Sequence, residues 1–209
     1  MTLVRRAVTA LVLAGGAATR MGGSKAERRI GGASLLERSL QLADAVADEV
    51  LLLPGARVFP EAAGGRRCVA DWSVPMAIGP LGPLAALGAG LQAARHAWCL
   101  LLPCDMPGLD ADVVLRLIEC ATRTERDLVA LRTPDGWQPF PALYRSALAG
   151  RVRHELDAGR RSLTGLIESS ATLAIEADAL RDLDPELRCL HNVNTPADLA
   201  AAELAECAR

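Results

Sequence analysis

The residues best suited to chemistry lie in a glycine-rich segment, residues 11–25, which reads LVLAGGAATRMGGSK. Its four glycines are Gly15, Gly16, Gly22 and Gly23. Glycine lets backbone N–H groups turn toward an anion, and it lets a polyphosphate approach the chain without meeting a Cβ atom. Arg20 and Lys25 add positive charge where phosphates would lie. We therefore predict that this segment binds the phosphates of a nucleotide.

The spacing of these glycines differs from the two commonest phosphate motifs. The segment shows neither the GxxxxGK[ST] spacing of a P-loop nor GxGxxG followed by a helix. A glycine-rich turn can equally be a flexible connection between a strand and a helix. The glycines alone leave both interpretations open.

Asp105, in the sequence LPCDMP at residues 102–107, is the second candidate. It follows residues 97–102, AWCLLL, the most apolar predicted strand and therefore the expected centre of a sheet. Ligands of α/β sheets bind outside the carboxyl ends of strands, where a carboxylate can reach Mg²⁺ on nucleotide phosphates. An ordinary turn aspartate is the alternative. Combined with the glycine-rich segment, the position favours a metal site.

Five further polar residues are candidates. Asp71 ends the third predicted strand, where it could meet a base or ribose, or cap a loop. Asn192 and Asn194, in HNVNTP, point the same way on an extended segment, so they could bind a polar ligand or satisfy the start of the last helix. Arg160 and Arg161 carry planar donors suited to a second phosphate, or they form a solvated helix end.

Other catalytic motifs are missing from the sequence. The three histidines are scattered, no HExxH spacing occurs, and there is no GxSxG turn. Phosphate chemistry fits this pattern, because an attacking phosphate oxygen is already anionic and needs no strong base.

The elements that must position these residues alternate between strands and helices. Strands are predicted at residues 7–13, 49–53, 67–70 and 97–102, with helices at residues 34–47, from Pro83, and after Asp110. The order predicts right-handed parallel crossovers. Two later strands, at residues 127–131 and 140–144, are expected to pair antiparallel. They are followed by a helix at residues 146–158, a helix that begins after Ser162, a weak strand at residues 172–175, and a last helix capped by Thr195. We predict an α/β fold with helices on both faces of a mostly parallel sheet and a small antiparallel element in the second half.

Composition narrows the classes of partner. The chain has 209 residues, 51% of them hydrophobic, which favours one compact domain. Its net charge of −2 favours a small molecule as the binding partner over nucleic acid or a membrane. The six cysteines include no CxxC pair, so we expect reduced thiols in a cytoplasmic protein. Residues 5–18 are similar to a signal peptide, but cleavage would remove the first strand and the glycine-rich segment, so we expect residues 5–18 to be kept.

Together these motifs resemble the molybdenum cofactor guanylyltransferases, along nearly the whole chain. The matching pieces are LAGGAATRMGGSK, Asp71, GPLAAL at residues 82–87, LPCDMP, AGRRS at residues 158–162, and NVNTPADL at residues 192–199. The LAGG and RMGG pieces are shared with many nucleotidyltransferases, whereas PCDMP and NVNTP narrow the choice of family among them.

The resemblance implies a three-layer, Rossmann-like nucleotidyltransferase fold as a single domain, residues 1–209. Residues 1–109 would bind the nucleotide and residues 110–209 the acceptor. The implied reaction transfers GMP from Mg·GTP to the terminal phosphate of molybdenum-bearing molybdopterin, forming the guanine dinucleotide and releasing pyrophosphate. The implied partners are GTP and molybdenum-bearing molybdopterin, together with molybdoenzyme apoproteins or other proteins of cofactor biosynthesis. The implied oligomeric state is a monomer or a weak homo-oligomer.

The resemblance also implies a role for each matching residue. The nucleotide would be held by Leu13, Ala14, Gly15 and Gly16, and further binding residues would be Gly22, Gly23 and Gly82. Lys25 would bind its phosphates, Asp71 the nucleoside, and Asp105 the Mg²⁺ ion. The side of the pterin phosphate would be formed by Arg20, Arg160, Asn192 and Asn194, with Arg161 as a further binding residue. The catalytic residues would be Lys25, Asp105 and Arg20.

The sequence departs from the family pattern in two places, and three rival functions stay open. Ser24 stands where an acidic residue is usual, and Pro54 and Gly55 replace a polar loop involved in base recognition. A cytidylyltransferase acting on the same cofactor shares PCDMP, but it more often reads LAAG and DxxTP. A sugar-phosphate nucleotidyltransferase is the second rival, and a non-catalytic nucleotide-binding adaptor is the third.

Overall fold

A central sheet organises the protein in the computed structural model, which describes residues 6–15, 25–56, 59, 64–73 and 81–207. The strands are β1 Arg6–Leu13, β2 Arg29–Ile30, β3 Ala33–Ser34, β4 Ala47–Leu53, β5 Arg67–Cys68, β6 Trp98–Pro103, β7 Leu128–Thr133, β8 Gly136–Arg145 and β9 Thr172–Glu176. The helices are α1 Leu35–Val46, α2 Pro83–Ala93, α3 Ala111–Arg123, α4 Ala149–Asp157, α5 Leu163–Glu168 and α6 Pro196–Cys207.

Seven of the described strands form one sheet in the order β5-β4-β1-β6-β8-β7-β9. β1 pairs in parallel with β4 and β6, and β8 runs antiparallel to both β6 and β7. The predicted parallel crossover is confirmed, as is the central position of β6. β2 and β3 form a small separate hairpin that the sequence pattern does not predict.

Helices cover both faces of this sheet because its strands alternate between two cores. On β1, Ala10 and Val12 face the core that includes α1 and α3. Leu11 and Leu13 face the core that includes α2, α4 and α5. Side chains of a strand alternate between faces, so one apolar strand can serve two helical layers. The predicted three-layer arrangement is confirmed.

Local signals set most of the helix starts. Ser34 and Glu37 form the predicted capping box of α1, and Asp110 accepts hydrogen bonds from the first turn of α3. Pro83 begins α2 directly after Gly82, whose φ of 73° favours glycine.

Several predicted elements differ in extent, among them the third strand, which is predicted at residues 67–70 and comprises only Arg67–Cys68. The predicted helix at residues 146–158 is divided into a 3-10 turn, Ser146–Leu148, and α4. The predicted strand at residues 140–144 begins earlier, at Gly136, because Thr133 and Gly136 close a hairpin between β7 and β8. No helix in the described part of the chain is long and apolar enough to cross a membrane.

Candidate active site

Three parallel strands end together at one edge of the sheet, beside several of the predicted site residues. Leu13, the last residue of β1, pairs with Leu53 of β4 and with Pro103 of β6. Parallel strands in this register end together, so residues 14–15, 54–55 and 104–105 all leave the sheet at its carboxyl edge. Ligand sites of open α/β sheets form at this edge.

Strand β4 holds the glycine-rich segment at the point where this segment leaves β1. The backbone N–H groups of Ala14 and Gly15 donate to the carbonyl oxygen of Leu53, at 3.0 and 3.3 Å. These two donors are therefore engaged within the protein. The predicted site residues Gly16, Arg20, Gly22 and Gly23 lie outside the described residues.

A second loop packs directly against Gly15. A Cβ atom on Gly15 would lie 3.0 Å from both the nitrogen and the Cα atom of Gly55. Gly55 itself has a φ of 62°, a left-handed conformation that favours glycine. Both glycines are needed for this contact between residues 15 and 55, which we call the glycine corner.

Asp71 lies beside this backbone contact. A Cβ atom on Gly55 would be 3.9 Å from Oδ2 of Asp71. The Asp71 residue is exposed, yet partial desolvation of its carboxyl group raises its pKa above the usual value. A carboxyl group at this position can accept hydrogen bonds from a base or a ribose that rests against the two glycines.

Lys25 joins two other predicted residues into a charged cluster of Lys25, Asp105 and Asn194. Its Nζ donates to Oδ2 of Asp105 at 2.6 Å and to Oδ1 of Asn194 at 2.7 Å. The side chains of Lys25 and Asp105 are 19% and 23% exposed, so the ion pair is partly shielded from water but open to a ligand. Two oxygen atoms thus converge on one cation at the carboxyl edge.

Backbone contacts hold residues 188–194 against the loop that carries Asp105. The N–H group of Val193 donates to the carbonyl oxygen of Asp105 at 2.8 Å. A Cβ atom on Gly108 would lie 2.5 Å from the carbonyl oxygen of Arg188, a distance that real Cβ atoms do not reach. Glycine at position 108 therefore lets this segment approach closely enough to place Asn194 beside Lys25.

A helix cap fixes the backbone of Asn194. The carboxylate of Asp198 accepts hydrogen bonds from the N–H groups of Asn194 and Thr195, each at 2.8 Å. These two hydrogen bonds are the main cause of a lowered pKa of Asp198, and the charge of Lys25 adds to the effect. The cap engages the Asn194 backbone, which leaves its amide side chain available to Lys25.

The predicted arginine pair, Arg160 and Arg161, follows α4. Arg160 donates through Nη2 to Oε1 of Glu155 at 3.1 Å, and both arginines are exposed. Because Arg145, the last residue of β8, pairs with Trp98, the first residue of β6, α4 begins near the amino edge of the sheet. Arg160 and Arg161 follow the opposite end of this helix.

Cys104, next to Asp105, is not suited to act as a nucleophile. Burial, with the charge of Asp105, raises the pKa of its thiol to about 12. The thiol therefore stays protonated at neutral pH, and only a thiolate would attack.

Sequence reasoning finds the charged residues but misses the glycines that position them. The sequence assigns Asn194 to the acceptor side and Lys25 to the nucleotide side, whereas the structure joins the two directly. Asn192 is exposed, like Asn194, and the intervening Val193 is buried, as the spacing predicts for an extended segment. Gly55 and Gly108 are not predicted as site residues, although Gly108 directly follows the conspicuous CDMP sequence.

Comparisons with known proteins agree with this architecture. The sequence model of the MobA-like NTP transferase domain matches residues 10–173. A probable molybdenum cofactor guanylyltransferase of Synechococcus elongatus is 36% identical over 202 residues, covering 93% of this chain and 97% of the relative. A molybdenum cofactor guanylyltransferase of Pseudomonas aeruginosa is 35% identical over 191 residues, covering 91% of each chain.

A solved structure shares the fold. The crystal structure of molybdopterin-guanine dinucleotide biosynthesis protein A from Archaeoglobus fulgidus superimposes with a TM-score of 0.79 at 23% identity. The superposition covers 96% of this chain and all of that chain. The likeness therefore extends over the whole sheet and its helices.

Proposed function

The chain belongs to the MobA-like NTP transferase family, and on this premise we propose that it transfers GMP from GTP to the terminal phosphate of molybdenum-bearing molybdopterin. The products are the molybdopterin guanine dinucleotide and pyrophosphate. The names of the relatives from Synechococcus elongatus and Pseudomonas aeruginosa support this choice of substrates. The observation that carries the proposal is the Lys25 ammonium group, held by Asp105 and Asn194 at the carboxyl edge.

The proposed reaction needs charge neutralisation more than a base. An oxygen of the acceptor phosphate attacks the α-phosphorus of GTP, and the bond to the β-phosphate breaks as pyrophosphate leaves. That oxygen is anionic at neutral pH, so catalysis depends on positioning and on stabilising negative charge. Lys25 supplies this charge when its ammonium group exchanges the Asp105 carboxylate for the phosphates.

The donor set of the charged cluster fits a magnesium ion. Mg²⁺ prefers oxygen ligands and is held in nucleotide sites by one or two carboxylates together with substrate phosphates. Asp105 would hold the ion, with the amide oxygen of Asn194 as a further candidate ligand; when bound, the ion neutralises charge on the phosphates. Within the described ranges, no group of three His, Cys, Asp or Glu side chains could hold a metal. We expect tight binding of Mg²⁺ only together with the nucleotide, because the phosphates would supply the further oxygen ligands that the ion needs.

We assign the remaining residues to two sides of the reaction. The nucleotide side comprises Leu13, Ala14, Gly15, Gly16, Gly22, Gly23 and Gly82, with Asp71 at the nucleoside. The acceptor side comprises Arg20, Arg160, Arg161 and Asn192. The direct bond between Lys25 and Asn194 supports an arrangement in which residues 1–109 and residues 110–209 act as two halves of one nucleotidyltransferase domain.

Pyrophosphate release tests the proposed function. The purified chain would be incubated with Mg²⁺, molybdenum-bearing molybdopterin, and GTP, CTP, ATP or UTP in turn. We expect release with GTP, dependent on both the acceptor and Mg²⁺. Release with CTP alone would indicate a cytidylyltransferase, and GTP binding without release would indicate an adaptor; either result would overturn the proposal.

A further inference from the structure

Trp72, the residue after Asp71, packs against helix α2. A Cβ atom on Gly88 would come within 2.3 Å of the Trp72 ring, so the ring occupies the space that a side chain at position 88 would need. The indole Nε1 donates to Oε1 of Gln92, one turn further along the helix, at 2.9 Å. Glycine at position 88 therefore allows a tryptophan to lie directly on the helix.

Arg153 of α4 holds the same tryptophan. Its guanidinium carbon lies 4.0 Å from the centre of the Trp72 ring, a cation–π contact. Its Nη1 also donates to the carbonyl oxygen of Ser73 at 3.2 Å. One arginine thus binds both the ring of Trp72 and the backbone of the following residue.

These contacts fix the chain immediately after Asp71, and the sheet fixes it immediately before. The N–H group of Val69 donates to the carbonyl oxygen of Leu52 at 2.9 Å. Asp71 therefore lies between two anchored points of the backbone. Among the described residues, no hydrogen-bond donor contacts its carboxyl group, so the backbone sets the position of this group beside Gly55.

We propose that Trp72 is a positioning residue for nucleoside recognition, because its ring, held by α2 and α4, sets where the Asp71 carboxyl group stands against the glycine corner. The inference rests on the proposed function, since it takes Asp71 as the nucleoside contact. Trp72 itself touches neither the substrate nor the reacting atoms in this scheme. Its effect falls on nucleotide affinity and preference, and the chemical step is unchanged.

Calorimetric titration of GTP into the Trp72→Phe variant tests this role. Phenylalanine keeps an aromatic ring on Gly88 but loses the hydrogen bond to Gln92 and part of the surface under Arg153. We expect the Kd for Mg·GTP to rise roughly five- to tenfold, and the preference for GTP over the other three nucleotides to narrow, because one hydrogen bond of about 1 kcal/mol corresponds to about a fivefold change. The kcat at saturating GTP should stay close to that of the unmodified chain.

A second arginine–tryptophan contact provides a matched control. Arg145 lies 4.6 Å from the ring centre of Trp98, the first residue of β6, at the amino edge of the sheet. Trp98→Phe should lower the Tm while leaving the Kd for GTP unchanged. Gly88→Ala provides a second test variant, because it displaces the Trp72 ring without changing Trp72, and it should also weaken GTP binding.

The outcomes separate this inference from the proposed function. If the unmodified chain releases pyrophosphate with GTP while Trp72→Phe and Gly88→Ala bind GTP normally, the positioning role is wrong and the function stands. Equal weakening in Trp98→Phe would also overturn the role, because the effect would then be general destabilisation. If the unmodified chain does not bind GTP, both the function and the inference fail.

Discussion

The charged cluster and the glycine corner lie at the same edge of the sheet, but different forces hold them. The cluster joins side chains of Lys25, Asp105 and Asn194 by short, charge-assisted hydrogen bonds. The corner is a contact between the backbones of Gly15 and Gly55, which have no side chains to exchange. Changing one functional group alters the cluster, whereas adding a single carbon atom alters the corner. We infer that charge controls the chemical step and shape controls the choice of nucleoside.

The largest expected effect is on the charged cluster. Lys25→Met removes the ammonium group and Asp105→Asn removes the carboxylate, and each change keeps a side chain of similar size. We expect either variant to lower kcat by roughly 100- to 1,000-fold, the usual loss when one group that stabilises transition-state charge is removed. Steady-state pyrophosphate release at saturating GTP measures this effect.

An ion pair remote from the cluster supplies the control for these variants. Arg116 and Asp182 pair at 2.9 Å with side chains 39% and 57% exposed. Arg116→Met also removes a cation from an ion pair, but it should leave kcat unchanged. Equal activity of Lys25→Met and Arg116→Met would show that the charged cluster takes no part in catalysis.

The next effect concerns the glycine corner. Gly15→Ala places a methyl group 3.0 Å from the Gly55 backbone, which must shift. We expect a loss of about 1–3 kcal/mol in the free energy of unfolding, as for other overpacked sites, and a rise of KM for GTP that exceeds any change in kcat. Urea denaturation and steady-state kinetics measure the two quantities.

Gly32→Ala is the matched control for this substitution, because no atom lies within 4 Å of a Cβ at that position. It should leave both the urea midpoint and KM near those of the unmodified chain. A Gly15→Ala variant that behaved in the same way would contradict the close contact at the glycine corner.

The smallest expected effect concerns the cap that supports the charged cluster. The pKa of Asp198 is lower in the folded protein than its ordinary value of 3.8. A lowered folded pKa stabilises the protein above the unfolded pKa, and this contribution is lost as the pH falls through the folded pKa. Between about pH 6 and about pH 2.5, the urea midpoint of Asp198→Asn should therefore fall less steeply than that of the unmodified chain. Parallel curves for the two proteins would show that the cap contributes nothing to stability.

Much of the fold could be predicted because its signals are local. The capping box of Ser34 and Glu37, the cap of Asp110 and the apolar run of β6 each lie within a few residues of the chain. Such patterns depend on backbone geometry that neighbouring residues determine. The hairpin of β2 and β3 escapes prediction because each strand has only two residues, too few to show a period.

The site was predictable in its charged residues but not in its contacts. Lys25 and Asp105 stand out because charge at a strand end or after glycines has few structural uses. The bond from Lys25 to Asn194 spans 169 positions and depends on how closely Gly108 lets residues 188–194 approach. A pattern of neighbouring residues cannot predict a contact between residues so far apart in the sequence. The left-handed backbone of Gly55 likewise forms its contact with Gly15 only because β1 and β4 pair side by side, which no local pattern predicts.

The same separation determines the order in which a growing chain can complete its catalytic centre. The last strand of the sheet, β9, ends at Glu176, eighteen positions before the amide that Lys25 requires. A nascent chain released as far as β9 could therefore pair every strand while Lys25 still lacked one of its two partners. The order of residues along the chain thus allows the sheet to pair before the Lys25 cluster is complete, because Asn194 is synthesised after all of its strands.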